Sequence, residues 1–416
     1  MTTSINPTII KPDILPDLLQ YCEDKAYIHF ALIADRKTYK AFGEKIHQSL
    51  IELNYDVLLI LLKSEEIAAD EQSIAEIILQ LDNLERVFLA VGSGTITDLT
   101  RFISHRMRMP FISLPTAPSM DGFAATGAAL IHKGMKISVP CHPPAAIFAD
   151  INTLCHAPQD LIAAGFGDLV GKYTSVADWK IGQLIWGEKF DLSLAARSLG
   201  IANSCQKMAG EVRKRSTAGI ESLTQGLIQS SFCILEFGTS EPGSGGEHHF
   251  SHYWEMRMLR EKRRAVYHGL KVGTATVLVA EYYDRIHKTG KTQLKTILDE
   301  AKLPDATTEV AKIQKHFGSA ANNILKKQKM FLEMPPEQFE RLKDNILHNW
   351  EQIQEIASEV PPPEEITDLL RKAKCPLNPE DIDISTEEIL DAKQYCHFLR
   401  PRFTIHKMMY LLGMPT

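Results

Sequence analysis

Arg86-Val-Phe-Leu-Ala-Val-Gly92-Ser-Gly94-Thr95-Ile96-Thr97-Asp98 is an apolar run that ends in a Gly-x-Gly turn. Branched and aromatic residues bounded by glycine read as a buried strand. A helix is predicted to open near Thr97. Glycines at such a turn let the backbone approach a pyrophosphate, whose charge is met by amides at the helix start. The third glycine of a full G-x-G-x-x-G is replaced by Thr97. By itself the turn therefore fits a plain strand-to-helix connection at least as well.

The same pattern recurs on both sides. Ala26 to Ala34, Asp56 to Leu62 and Pro110 to Leu114 read as further strands, and Thr38 to Leu53 and Ile67 to Leu81 carry helical periodicity. Leu130 to Pro140 predicts a hairpin through His132-Lys133-Gly134, and Ala146 to Ala149 a last strand. Strands alternating with helices imply βαβ units and a mostly parallel sheet. From about Asn152 the strand signals stop. Helices are predicted over Pro158 to Ala164, Asp168 to Lys180, Leu192 to Arg213, Ser216 to Phe237, Ala265 to Arg285 and Thr292 to Ala301. Ser385-Thr-Glu-Glu388 fits a capping box, and Pro361-Pro-Pro363 a helix-ending turn. The expected architecture is a Rossmann-like α/β domain over residues 1–151 followed by an all-α domain over 152–416.

Composition narrows the function classes. The chain has 416 residues, 44% hydrophobic and 24% charged, with a net charge of −6, the balance of a globular protein. That charge does not suggest a nucleic-acid surface. The longest apolar run, Val57 to Leu62, is far too short to span a bilayer, and the start MTTSINPTIIKPDILPD lacks the pattern of a signal peptide. Seven scattered cysteines without a C-x-x-C argue against a disulfide framework or a cysteine zinc cluster, and point to a reducing cytoplasm.

The chemistry concentrates in Ser244 to Val272, SGGEHHFSHYWEMRMLREKRRAVYHGLKV. His248 and His252 lie four apart and share one face of a helix. A solvated amphipathic helix would show the same spacing. His268 in a second segment and Asp168 in Gly-Phe-Gly-Asp168 complete a possible set for a catalytic divalent cation with an open position. Such a cation can polarise a ketone oxygen or stabilise an alkoxide. A zinc protease would need glutamate directly after the first histidine, where this chain has His249. The run Arg257, Arg260, Lys262, Arg263, Arg264 reads mostly as a solvated face, and Lys172 as either a surface lysine or a neighbour of Asp168.

Two more strand ends carry polar groups. Leu114-Pro-Thr116-Ala-Pro-Ser119-Met-Asp121-Gly122 ends a strand in hydroxyls and a carboxylate, where open α/β sheets bind ligands. Asp35 closes Phe30-Ala-Leu-Ile-Ala34, where a carboxylate can bind a ribose hydroxyl and favour NAD over NADP, although Arg36 beside it pulls the other way. Each has an ordinary reading as a capped turn.

Taken together, GSGTITD, PTAPSMDG, GFGD and EHHFSHYWE followed by YHGLKV resemble the sn-glycerol-1-phosphate dehydrogenases, bacterial branch. That group lies within the superfamily of iron-containing alcohol dehydrogenase, glycerol dehydrogenase and dehydroquinate synthase. The resemblance implies a dehydroquinate synthase-like fold whose helical domain binds metal and substrate. It implies NAD (NADP possible), one divalent metal, zinc or nickel, and interconversion of dihydroxyacetone phosphate with sn-glycerol 1-phosphate in phospholipid metabolism. Gly94, Thr95, Ile96, Thr97, Asp98, Thr116, Ala117, Pro118, Ser119 and Ala125 match cofactor contacts. Ala125 is commonly serine in the family, so here only its backbone or methyl could serve. Asp168, His248 and His268 match metal ligands, with Asp168 also at the substrate. Asp121 and His252 match catalytic, substrate-contacting residues. The further implications are a homodimer, a phosphorylated triose as partner, and no nucleic acid or membrane span. The alternatives are a glycerol dehydrogenase-type polyol oxidoreductase, a dehydroquinate synthase-like cyclising lyase and a non-catalytic nucleotide sensor.

Overall fold

The computed structural model describes residues 5–64, 66–133 and 135–416. Gly134 of the expected hairpin turn, residues 1–4 and Glu65 lie outside the described residues. The strands are β1 (Thr8–Lys11), β2 (His29–Asp35), β3 (Asp56–Leu62), β4 (Val87–Gly92), β5 (Phe111–Pro115), β6 (Gly127–His132), β7 (Met135–Pro140) and β8 (Ala146–Asp150). Six form one parallel sheet in the order β1-β8-β5-β4-β2-β3, and β6 with β7 makes an antiparallel hairpin.

The sheet follows from the apolar runs. In β2 successive side chains alternate faces. Phe30, Leu32 and Ala34 enter one core with Val87, Leu89, Val91, Ile112 and Leu114. Ala31 and Ile33 enter the other with Phe88, Ala90, Phe111 and Ile96. A parallel sheet covered on both faces needs strands apolar throughout, and β4, β5 and β8 are buried along their whole length. Strand β1 has no counterpart among the sequence expectations. It is four residues long, lies at the sheet edge and is only half buried, so it carries no long apolar signature.

The chain divides into two compact units, and not by a single cut near residue 152. One runs to Phe166 and takes in Lys207–Gly238; the other comprises Gly167–Gln206 and Thr239–Thr416. The reason is the helix Thr217–Phe237, whose apolar face packs on β1 and on the short helix Ile151–Cys155, with Ile228 joining Phe123, Ala124 and Ile147 in a core. In the helical unit, Gly246–Arg260 packs against His268–Lys288, Lys172–Ile181 and Thr386–Tyr395. The capping box at Ser385 and Glu388 is formed. The proline run ends one helix at Ser358 and opens the next, with Pro363 in its first turn.

Candidate active site

In the sheet-bearing unit, β4 ends at Gly92 and the helix Gly94–Met107 begins two residues later, earlier than the Thr97 start expected. A Cβ on Gly92 would lie 2.5 Å from the Ile96 Cβ, so only glycine lets strand and helix turn this tightly. Ser93 makes no side-chain cap; its carbonyl accepts from Thr97 N at 3.0 Å and from Thr97 Oγ1 at 2.9 Å. The first-turn amides are thus oriented for an anion. Ser93 Oγ and Ser119 Oγ are hydrogen-bonded, and Thr116 N donates to Gly92 O at 3.2 Å. The turns after β4 and β5 are therefore stitched together at the C-terminal end of adjacent strands.

Not all the predicted cofactor residues present their side chains. Ile96, Thr97 and Asp98 are buried, whereas Gly94 and Thr95 are half-buried. Asp98 pairs with fully buried Arg101 at 2.7 Å. Burial pushes the Asp98 carboxyl up to about 6, against the pull of Arg101. Arg101 also donates to Gly122 O, Phe123 O and Gly127 O at 2.7, 3.0 and 3.2 Å, and so holds the loop that carries Asp121. Asp121 Oδ2 accepts from Ser230 Oγ at 2.8 Å, and Ala124 N donates to Ser231 Oγ at 2.8 Å. Ala125 is half-buried on the same loop, and Ala117 and Pro118 are buried. Arg101, Ser230 and Ser231 went unread in the sequence; the spacing of Asp98 and Arg101 on one helix was the only signal available. Asp35 caps the helix that follows β2, with Oδ1 accepting from Lys37 N at 2.7 Å and Thr38 N at 2.8 Å.

In the helical unit, Asp168, His248 and His268 bring one ligand atom each within 4.8 Å of one another. His248 Nε2 lies 3.6 Å from Asp168 Oδ1. Tetrahedral ligands at about 2.1 Å from a zinc ion are about 3.4 Å apart, so this pair stands near ligand spacing. The fit to a divalent cation is good: a buried carboxylate and two imidazoles converge, and small residues make the convergence possible. A Cβ on Gly167 would lie 2.4 Å from Gly269 O, and one on Gly171 2.8 Å from Val272, so the helices that carry Asp168 and His268 touch backbone to backbone.

His248 is held from behind. Glu247 Oε1 accepts from His248 Nδ1 and from Gly245 N, both at 2.7 Å, while Oε2 accepts from Thr174 Oγ1 at 2.6 Å. Burial raises the Glu247 carboxyl, but the hydrogen bond and charge of His248 bring it below its ordinary value. A carboxylate on the far nitrogen fixes the tautomer and leaves Nε2 with a lone pair, as a metal ligand would need. Asp178 anchors the helix start, accepting from Gly246 N at 2.6 Å, Ile405 N at 2.7 Å and Tyr283 OH at 2.7 Å. Burial and the charge of Glu247 push Asp178 up to about 7. His249 turns inward, and neither of its ring nitrogens has a hydrogen-bond partner among the described residues.

His252 stands beside the set, its ring centroid 6.1 Å from that of His248 and 5.6 Å from that of His268. Two lysines are buried close by. Lys172 Nζ lies 3.3 Å from Asp168 Oδ1 and donates to Gly243 O at 2.8 Å; Lys271 Nζ lies 3.5 Å from Glu255 Oε2. The basic run is a set of helix-to-helix ties as well as a face. Arg257 reaches Asp391 at 2.6 Å and Glu387 at 3.1 Å, and Arg263 reaches Glu388 at 2.6 Å. No helix among the described residues is long and apolar enough to cross a membrane.

The chain is 34% identical to glycerol-1-phosphate dehydrogenase [NAD(P)+] of Geobacillus thermodenitrificans, over 99% of this chain and 93% of that one. It belongs to the glycerol-1-phosphate dehydrogenase family. The enzyme of that name from Halalkalibacterium halodurans is 40% identical over 64% of this chain and 67% of its own. The family model for iron-containing alcohol dehydrogenase matches residues 9–158. In fold, the chain is similar to iron-containing alcohol dehydrogenase from Corynebacterium glutamicum, with a TM-score of 0.61 at 14% identity over 99% of this chain and 94% of that one. Glycerol dehydrogenase from Schizosaccharomyces pombe gives 0.60 at 15% identity over 99% and 89%. The expected fold, an α/β sheet unit with a helical unit in the iron-containing alcohol dehydrogenase superfamily, is the one found. As a glycerol-1-phosphate dehydrogenase family member, the chain is an NAD(P)-dependent oxidoreductase with a metal-binding fold.

Proposed function

We propose that the chain interconverts dihydroxyacetone phosphate and sn-glycerol 1-phosphate, with NADH or NADPH as the hydride partner. The observation that carries this reading is the meeting of Asp168, His248 and His268 in a chain that matches glycerol-1-phosphate dehydrogenases over nearly its full length. We assign these three to hold one divalent cation, zinc or nickel, since both suit a mixed carboxylate and imidazole set. When bound, the cation would supply Lewis acidity toward the substrate oxygen and the nicotinamide a hydride.

The chain's own groups orient and move protons. Glu247 keeps the His248 ring turned so that Nε2 faces Asp168. His252, half-buried beside both ligand histidines, is assigned to hold the substrate hydroxyl and pass its proton. Asp121, oriented by Ser230, is assigned to accept a hydrogen bond from a substrate hydroxyl. Asp168 lines the substrate position as well as the cation's. Gly94, Thr95 and Ile96 serve the pyrophosphate through the free amides of the first turn, and Thr97 and Asp98 support that turn, Thr97 through Ser93 O and Asp98 through Arg101. Thr116, Ala117, Pro118, Ser119 and Ala125 complete the cofactor contacts. Asp35 is assigned to the ribose, favouring NAD. Seven free cysteines fit a reducing cytoplasm, and a homodimer is the assembly assigned from the family resemblance.

The test is NADH oxidation with dihydroxyacetone phosphate, before and after chelation and with zinc or nickel returned. The expected result is turnover that chelation abolishes and metal restores. Activity confined to glycerol or dihydroxyacetone would overturn the reading in favour of a polyol oxidoreductase. No turnover despite bound metal and NAD would turn attention to a cyclising lyase.

A further inference from the structure

Beside the deeper set lies a second convergence of metal-ligating side chains. His252, Glu255 and His268 offer one ligand atom each, all within 4.8 Å of one another. His252 Nδ1 stands 3.8 Å from Glu255 Oε2, close to the spacing of the His248–Asp168 pair at 3.6 Å. We propose that these three side chains form an outer cation site that shares His268 with the deeper one.

Three observations carry the proposal. First, two imidazoles and a carboxylate are the same donor chemistry as the deeper set, and suit zinc, cobalt or nickel. Second, the two sites differ in access. The Asp168 and His248 side chains are 0% and 6% exposed, against 22% and 18% for His252 and Glu255. The outer site meets solvent, so a hydrated cation reaches it first. Third, a neutral imidazole has one ring nitrogen that accepts, so His268 serves one cation at a time and the two sites exclude each other. Buried Lys271, 3.5 Å from Glu255, places a positive charge beside the outer position and weakens it. A weak, exposed site joined by one shared ligand to a buried site is a capture position: the cation binds at the outer set and moves inward as His268 turns from one set to the other. The site rests on the assignment of His268 under the proposed function but not on any activity.

Cobalt(II) is the probe, because its visible absorption reports ligation directly without substrate or cofactor. The metal-free full chain carrying Asp168→Asn with His248→Ala is expected to bind one cobalt ion more weakly than the wild type, and adding Glu255→Gln is expected to abolish that binding. A natively folded double variant that binds no cobalt, while the wild type binds it, would overturn the outer site and leave the deeper set standing. So would residual binding indifferent to Glu255→Gln. Should the double variant fail to fold, Glu255→Gln alone decides. Slower cobalt uptake into the metal-free protein at unchanged equilibrium affinity supports the capture position, and unchanged uptake refutes it. A wild type that binds no cobalt would sink both sets together.

Discussion

Replacing Glu247 with glutamine removes a charge while keeping the shape. In the wild type one carboxylate takes three donors: His248 Nδ1, Gly245 N and Thr174 Oγ1, at 2.7, 2.7 and 2.6 Å. The amide oxygen of glutamine can keep the first two. Its NH2 then faces Thr174 Oγ1, which can accept while donating to Gly171 O, already 3.1 Å away. The fold is therefore expected to hold and His248 to keep its orientation but lose basicity. Loss of such an outer partner weakens metal binding about 10–100-fold, or about 1.4–2.8 kcal/mol. Competition of zinc between the protein and a chromophoric chelator measures this directly. Glu247→Ala, by contrast, strands two buried donors, His248 Nδ1 and Gly245 N, at roughly 1–3 kcal/mol each, and should lower the melting temperature. If Glu247→Gln binds zinc as tightly as wild type while remaining folded, Glu247 does not act through His248 on a metal.

Four further outcomes are expected. His268→Ala should remove bound metal and activity while circular dichroism stays nearly unchanged; metal retained at full stoichiometry would mean a different third ligand. Asp35→Ala should cost about 1 kcal/mol of stability through the lost cap and lower the ratio of NADH to NADPH activity; an unchanged ratio would refute the ribose role. Arg101→Met should destabilise by about 3–5 kcal/mol in chemical denaturation, because it leaves Asp98 buried and unpaired; a cost below about 1 kcal/mol would show that the pair is dispensable. Asp178 has its carboxyl raised to about 7 in the folded state. A raised folded value means that its stabilising contribution is complete below the unfolded carboxylate range, near 3.9, and is lost as pH climbs through about 7. Asp178→Asn should abolish that share of the slope between about pH 4 and 7, and an identical pH dependence of unfolding in both proteins would contradict it.

Local pattern carried much of the fold. Apolar runs at Phe30, Val57, Val87, Phe111 and Ala146 sit in strands because a two-sided parallel sheet leaves little room for polar residues. Strand β1 escaped because an edge strand is buried along part of its surface only. The helix Thr217–Phe237 was legible as a helix, but its membership in the sheet-bearing unit was not. Its apolar face could cover any apolar surface, and only the folded chain places it on β1. Among the site residues, Asp98 was matched to a cofactor contact through the family resemblance, and its side chain is spent on Arg101.

The residue types at Asp168, His248, His252 and His268, the glycines that open the helix after β4 and the order of strands and helices are properties of the chain itself. They are compatible with the chemistry, because metal ligation needs imidazole and carboxylate and a tight turn needs glycine, and the resemblance to the glycerol-1-phosphate dehydrogenases named it. Much of what stands behind them is decided by the tertiary structure. Thr174 on Glu247, Asp178 at the helix start and Ser230 on Asp121 are brought to their partners by packing between segments up to 227 residues apart, the separation of Asp178 from Ile405, whereas Glu247 beside His248 and Glu255 three residues from His252 are neighbours on one helix. Hydrogen bonds act over about 3 Å in space, and sequence spacing measures that distance only within a single helix or turn.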